Sequence, residues 1–499
     1  MIVKIILSAV LLYFSFPNYW DPHGLWPLAW IALVPFLAGI DGKLLRTRFW
    51  GCVCYGIVLY GLLLQWLWPV HFVGTLLFVL AMAVQPILFA VFYKSVTRHS
   101  LDFFYVPALW VASEWARTII LHGFYWGLSY SQTFEPAMIQ LASSTGPYGV
   151  SFVIVLVNYL LFRSFKIPSQ RKALITVSFI IFLLIYGVGT WSLSTSSKED
   201  PAVSVCAVQP NIPSSQKLSL KDFDDTIEAQ VALTKKAVAA RATDMIIWPE
   251  TAFPADVFKD KIWYPRLQRI AVENQAVFVF GAVPVIEGNS FNSAIGFDRQ
   301  GRLTGVHHKQ FLVPISEQTL QGKVFDFLKN MFDGRGFNFT PGNKADVFTI
   351  TGDVSQSLRF GTMICSETCY PSIARELALK GAGFVVVMLN DGWFTQPAAI
   401  MMHAQNAIMR AVESGMDIVS VGNTGLTCRV NAQGVMRKDQ NLPVQSEAYG
   451  IFHVTSHSRP TLYSRIGDLF AEACSLFVII FFIRLRLFKV EKANKPPAP

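Results

Sequence analysis

The chain has 499 residues, 52% of them hydrophobic and only 15% charged, and its mean hydropathy is +0.40. That composition excludes an ordinary water-soluble protein of this length and calls for membrane spans. The net charge of +9 sits largely in short loops between apolar runs rather than in a nucleic-acid-binding motif, and the seven scattered cysteines lack the paired spacing of a disulfide framework or zinc site.

Eight apolar runs, each near the ~20 residues that a bilayer core requires, lie at 2–17, 25–41, 49–68, 74–93, 101–120, 149–165, 173–193 and 468–488. The first begins like a signal peptide, with Lys4 ahead of an apolar stretch. It has no small-x-small cleavage site and more spans follow at once, so it reads as a span. The loop after the second run carries Lys43, Arg46 and Arg48, and the loop after the fourth carries Lys94 and Arg98. Arg163, Lys166, Arg171 and Lys172 fall between the sixth and seventh, and Arg484, Arg486, Lys489, Lys492 and Lys495 close the chain. The alternate loops, 18–24, 69–73 and 121–148, have no Lys or Arg. The positive-inside rule therefore puts the basic set and the C-terminus in the cytoplasm, and the region after the seventh run on the far side. Glu114 and Arg117 interrupt the fifth run and mark either a functional site or an interfacial position.

The organisation expected is a membrane domain over 1–195 with about seven spans, an extracytoplasmic domain over 196–462, and a final span with a basic tail over 463–499. The middle region alternates β-rich runs with helical segments. Its strand candidates are 203–208, 245–248, 276–283, 293–297, 358–364, 384–389 and 417–421, and its helix candidates are 220–241, 265–274, 372–380 and 397–414. This is the pattern of a layered α/β domain. Between Gln318 and Phe339 the apolar side chains cluster and a Gly-rich DGRGFNF follows, which fits either a core helix or an interfacial arm or lid.

Three of these runs end on reactive groups. LRFGTMICSE delivers Cys365 to a strand end, DMIIWPE ends on Glu250, and GVHHKQFLVP carries Lys309. Taken singly, each has a plain reading: a buried inert thiol, a carboxylate at a helix start, a surface lysine. Together they supply a nucleophile for acyl carbons, a carboxylate to take its proton and a cation for the developing oxyanion. Glu317 and Glu367 lie close in sequence to Lys309 and Cys365, where either could orient the lysine or hold a proton. Ser366 follows the thiol directly.

The flanks carry a resemblance. WPETAFP, HHKQFLVPISE, TMICSE, NDGWF at 390–394 and PNIP at 210–213 resemble the nitrilase (carbon–nitrogen hydrolase) superfamily. With the eight-span frame, YFSFPNYWDPHGLWPLAWIALVPF and GLSYSQ at 127–132, the chain is similar to the bacterial apolipoprotein N-acyltransferase family over essentially its whole length. The resemblance implies a polytopic α-helical membrane domain of about eight spans with a nitrilase-like αββα-sandwich domain on the periplasmic face of the inner membrane. It implies Glu250 as general base, Lys309 as stabiliser of the tetrahedral intermediate, Cys365 as nucleophile and Glu317 as a supporting glutamate. Glu367 and Ser366 are further supporting candidates, and Trp393 and Phe394 are substrate-binding candidates.

No cofactor or metal is implied. The implied partners are a phospholipid acyl donor, typically phosphatidylethanolamine, and a diacylglyceryl apolipoprotein whose N-terminal amine takes the acyl chain. The chain departs from the family at Ser366, where Tyr is usual, and at Ser316 and Thr395, where Gly is usual. It departs also in MMHAQ, where the family has Trp-Gln-His, and in GNTG at 422–425. His403, Arg410 and Glu413 match helix positions of the family and read as structural. Two other readings follow from the same residues: a membrane-anchored amidase or thioesterase in which water replaces the amine, and a non-catalytic lipoprotein-binding factor.

Overall fold

A computed structural model describes residues 1–93, 102–195, 203–213, 216, 222–314, 316–318, 338–350, 358–392, 394, 396–456 and 459–493. The chain divides into two compact units, one of residues 1–195 with 466–499 and one of residues 196–465.

The first unit is helical. Among the described residues, three helical stretches are long and apolar enough to cross a membrane: Phe72–Phe92, Pro147–Lys166 and Pro168–Thr195. The runs at 2–17 and 25–41 contain shorter helices, Ile2–Phe14 with 13 residues and Ala29–Ile40 with 12. The helix Asp102–Ile120 carries the charges of the fifth run, and both are fully buried. Glu114 accepts hydrogen bonds from Trp110 Nε1 and Leu128 N, each at 2.9 Å. Arg117 donates to Tyr60 Oη at 2.8 Å and to the Trp126 carbonyl at 2.7 Å. Both charges lie in the interior of this unit, neither at an exposed interface nor facing lipid, and they tie the helix to the turn at 121–128. Asn158 does similar work on Ala29–Ile40. Its amide donates to the Ala29 carbonyl at 2.9 Å, and its carbonyl accepts from Leu33 N at 2.8 Å, in a helix that also contains Pro35.

The second unit is built on two sheets. The first has the order β13 (Ala448–Val454), β1 (Val203–Gln209), β2 (Met245–Ile247), β3 (Val277–Ala282), β6 (Ser293–Phe297) and β7 (Leu303–His308). The second has the order β12 (Cys428–Val430), β11 (Asp417–Gly422), β10 (Phe384–Leu389), β9 (Leu358–Ile364) and β8 (Val347–Ile350). A hairpin of β4 (Val285–Ile286) and β5 (Asn289–Ser290) stands apart. β1, β2 and β3 are mutually parallel, as are β9, β10 and β11.

The two-residue period of a strand sorts the apolar side chains. Val205, Ala207, Met245, Ile247, Val277 and Val279 share one cluster with Phe360, Ile364, Phe384, Val386, Met388, Val419 and Val421 of the other sheet. Cys206, Val208, Ile246, Trp248, Phe278 and Phe280 point the other way, into a cluster with Ile227, Leu233, Leu267 and Ile270 of helices Phe223–Ala240 and Trp263–Asn274. On the second sheet, helix Pro371–Leu379 lies so near β9 that a Cβ on Gly361 would sit 2.6 Å from a Leu377 methyl.

Each strand candidate named from sequence forms within a residue or two of its expected bounds. β7, β8, β12 and β13 have polar or short patterns and no apolar run to announce them. The Gln318–Phe339 segment lies outside the described residues over 319–337.

Candidate active site

β9 runs buried from Phe360 to Ile364, and the chain then turns sharply. Cys365 has φ 50°, in the left-handed region that L-residues rarely adopt. A short 3₁₀ turn, Cys365–Cys369, and helix Pro371–Leu379 follow. A backbone of this kind costs on the order of 1–3 kcal/mol and persists only where its surroundings hold it. The holding groups are specific. Glu367 is fully buried, and its Oε2 accepts from Ile364 N at 2.7 Å and meets His307 Nε2 at 3.0 Å. Its Oε1 accepts from Gln310 N at 2.7 Å. Thr368 Oγ1 donates to the Cys365 carbonyl at 2.9 Å, and Arg410, paired with Glu413 at 2.7 Å, reaches the Thr368 carbonyl. Glu367 therefore fastens the thiol turn to the strand end that carries Lys309.

Glu250 follows β2 and the Trp248-Pro249 pair. The next residue, Thr251, also has a positive φ, 47°. The bend passes directly over Gly281 of β3, where a Cβ would lie 2.6 Å from the Pro249 carbonyl oxygen. Lys309 leaves β7 with its N–H on the Asn292 carbonyl at 2.8 Å. Its Nζ is buried between two carboxylates, 2.8 Å from Glu317 Oε1 and 3.3 Å from Glu250 Oε1. Glu317 is fixed in turn by Val313 N, which donates to Oε2 at 2.8 Å.

The sequence reading missed one member of this cluster. Asn292 Nδ2 donates to Glu250 Oε1 at 2.8 Å and to Glu317 Oε1 at 3.0 Å, joining the two carboxylates. Only its place, one residue before the buried strand β6, could have pointed to it. Of the two glutamates open for orienting the lysine, Glu317 sits on it and Glu367 does not.

Cys365 lies within electrostatic reach of Glu250, Lys309, Asp391 and Glu317. Burial pushes its thiol well above the usual cysteine range. The negative charge of Glu250 adds to that, and Lys309 opposes it. Burial alone would lower the pKa of Lys309. The charges of Glu317 and Glu250 outweigh it and hold the ammonium well above the ordinary lysine value. The resting site thus holds a protonated thiol, a fixed cation and a carboxylate to receive a proton. Such a set can add sulfur to an acyl carbonyl and stabilise the resulting oxyanion.

Ser366 Oγ donates to the Phe311 carbonyl at 3.2 Å, and the Phe311 ring stacks on Tyr370 at 3.8 Å between centroids. Phe394 lies edge-on to His403, with centroids 6.5 Å apart. Trp393 and Thr395 lie outside the described residues.

Residues 8–160 match the apolipoprotein N-acyltransferase N-terminal domain, and residues 204–458 match the carbon-nitrogen hydrolase family. An apolipoprotein N-acyltransferase of Geobacter metallireducens is 30% identical, over 94% of this chain and 92% of its own. Proteins of the same name from Chlorobaculum tepidum and Thermotoga maritima are each 26% identical, over 94% and 96% of this chain and 93% of their own.

Proposed function

The chain belongs to the apolipoprotein N-acyltransferase family, and from that membership we propose that it moves an acyl chain from a phospholipid to a lipoprotein through a thioester on Cys365. It is an acyltransferase that acts on lipoproteins, with a lipid as acyl donor. The observation that carries the covalent route is the lysine shared by Glu250 and Glu317 beside a thiol that burial keeps protonated.

In the first half-reaction Glu250 takes the proton from the Cys365 sulfur as it attacks the sn-1 ester carbon. Lys309 stabilises the oxyanion, and Glu250 returns the proton to the departing alkoxide. A lysophospholipid leaves and the thioester remains. In the second half-reaction the N-terminal amine of a diacylglyceryl-cysteine attacks the thioester. Glu250 accepts a proton from the nitrogen, and the sulfur leaves and is reprotonated. Glu317 and Asn292 hold Lys309 and Glu250 in register, Glu367 and Ser366 support the turn, and Trp393 with Phe394 contacts substrate. The donor is phosphatidylethanolamine.

The same reading assigns residues 1–195 to a multi-pass domain of about seven spans in the bacterial inner membrane and 463–499 to an eighth span with a cytoplasmic tail. Residues 196–462 are then an αββα sandwich on the periplasmic face. The charge asymmetry of the loops supports this orientation.

The test is a mass spectrum of the purified full-length protein after incubation with phosphatidylethanolamine. One acyl group added at Cys365, and cleared by a diacylglyceryl-cysteine peptide, is the expected result. An adduct that clears equally fast in water identifies a hydrolase. No adduct on the folded protein ends the covalent route.

A further inference from the structure

We propose that His307 and Glu367 form a latch between the two sheets that sets the Cys365 sulfur against its base and its cation, with His307 as a positioning residue. The proposal rests on Cys365 being the acylated residue. Glu250, Asn292, Lys309 and Glu317 all flank strands of the first sheet: Glu250 follows β2, Asn292 precedes β6, and Lys309 and Glu317 follow β7. Cys365 arrives from the second sheet, at the end of β9. Attack by sulfur therefore depends on how the two sheets are held together at this end.

Elsewhere the sheets meet through apolar side chains such as Ile247, Val279, Phe360 and Val386. Burial of that kind is non-directional, whereas a hydrogen bond fixes both distance and angle. Glu367 supplies the directional link. On the side of the second sheet its Oε2 accepts from Ile364 N at 2.7 Å. On the side of the first sheet its Oε1 accepts from Gln310 N at 2.7 Å, one residue after Lys309. His307 Nε2 lies 3.0 Å from Oε2, two residues before Lys309, and both side chains of this pair are 0% exposed. One buried carboxylate thus grips the chain on either side of the lysine.

A carboxylate only accepts, so His307 Nε2 carries a hydrogen and donates it. The two main-chain donors do not depend on which side chains stand at 364 and 310; the third bond depends on the side chain at 307. Of the two adjacent histidines only this one makes it. The strand period turns His308 to the opposite face, where its Nδ1 lies 2.7 Å from Ser293 Oγ and its ring packs on Phe291. A second crossing, from Ser366 Oγ to the Phe311 carbonyl, is longer at 3.2 Å and only part-buried. Without the ring donor, the turn loses its side-chain hold on the strand that carries Lys309. Glu250 and Lys309 stay together, because their bonds with Asn292 and Glu317 lie on the side of the first sheet. What shifts is the sulfur relative to both.

The experiment follows acyl-Cys365 formation by the full-length protein in mixed micelles of detergent and phosphatidylethanolamine. Acylated peptides are mapped by mass spectrometry, and thermal unfolding is recorded on each preparation. His307→Phe keeps a ring and has no donor. Its acylation rate at saturating donor should fall on the order of 100-fold, the effect of a small misplacement of reacting atoms, while the donor KM holds. His307→Gln, whose amide nitrogen reaches about as far as Nε2, should recover most of that loss, and His307→Asn, one methylene shorter, should not. In a Glu367→Gln background, adding His307→Phe should slow acylation little further, because the ring acts through that carboxylate. If His307→Phe does not fold, the comparison of His307→Gln with His307→Asn decides the matter. Wild-type rate in folded His307→Phe, equal rates in the Gln and Asn variants, or effects that multiply in the double variant would overturn the latch. Acylation of the unmodified protein at a residue other than Cys365 would overturn the nucleophile reading and the latch with it.

Discussion

Glu250 acts on Cys365 in two opposed ways, and one substitution separates them. As a fixed negative charge it raises the thiol pKa, second only to burial. In the role of general base proposed for it, it also removes the thiol proton when sulfur attacks. Glu250→Gln abolishes both effects while keeping the shape and an oxygen for Asn292 Nδ2, which now donates to Glu250 Oε1 at 2.8 Å. Lys309 keeps Glu317 at 2.8 Å, so the ammonium stays partnered. With the repulsion gone and Lys309 in place, the thiol pKa falls, and Cys365 should react faster with iodoacetamide at a given pH. Acyl-enzyme formation should nevertheless slow by about 10²- to 10⁴-fold, the usual contribution of a positioned base. Measuring both rates on one preparation gives the sign of each. If the two fall together, Glu250 is only structural. Glu250, Lys309 and Cys365 were legible in the sequence because each ends an apolar run and has a distinctive flank. Asn292 was not, because its role comes from partners far along the chain, Glu250 and Glu317.

The elements that aim these groups depend on close backbone approach. Gly281 is the last residue but one of the fully buried strand β3, and glycine within a strand weakens it and so calls for a packing reason. The reason is the bend at Pro249–Thr251, which crosses it with no room for a Cβ. Gly281→Ala must push that bend away, and Glu250 with it. The expected cost is about 1–3 kcal/mol, typical of overpacking, and a larger proportional loss of acyl transfer than of stability, since a shift of about 1 Å at a catalytic group can cost 10²-fold. Thermal unfolding and acyl-Cys365 formation measured together check this, and equal activity in a folded variant would refute the close-approach argument. The same strands explain what could be read in advance. FVVVML and FVFGA are β-branched and aromatic runs that name themselves as buried strands. β7 and β13 are mostly half-exposed, with one and two buried residues, and β8 and β12 have only 4 and 3 residues. They are recognised only through their ladders, β13 on β1, β7 on β6 and β8 on β9.

For the whole molecule, orientation is the consequence with the widest reach, because an acyl acceptor and a thiol on opposite sides of a membrane cannot react. The first two helices make this a real question. Ile2–Phe14 and Ala29–Ile40, at 13 and 12 residues, extend about 18–20 Å at 1.5 Å per residue, less than the ~30 Å of a hydrocarbon core. They could cross with help from their flanks, or dip in and return on one side. Their flanks differ in kind. Tyr19 and Trp20 are 69% and 70% exposed, as in an interfacial aromatic belt, and their loop has no lysine or arginine, which the positive-inside rule associates with the outer face. Lys43, Arg46 and Arg48 follow the second helix, and the positive-inside rule assigns such a loop to the cytoplasm. If both helices cross, these two loops face opposite compartments. In a chain whose native cysteines other than Cys365 are replaced, Tyr19→Cys should react with a membrane-impermeant maleimide on intact spheroplasts. Lys43→Cys should react only after permeabilisation. Labelling of both from outside would mean that the second helix returns to the face it entered from. Each later segment would then be inverted, and the 196–462 domain would fall on the cytoplasmic side, away from its lipoprotein acceptor.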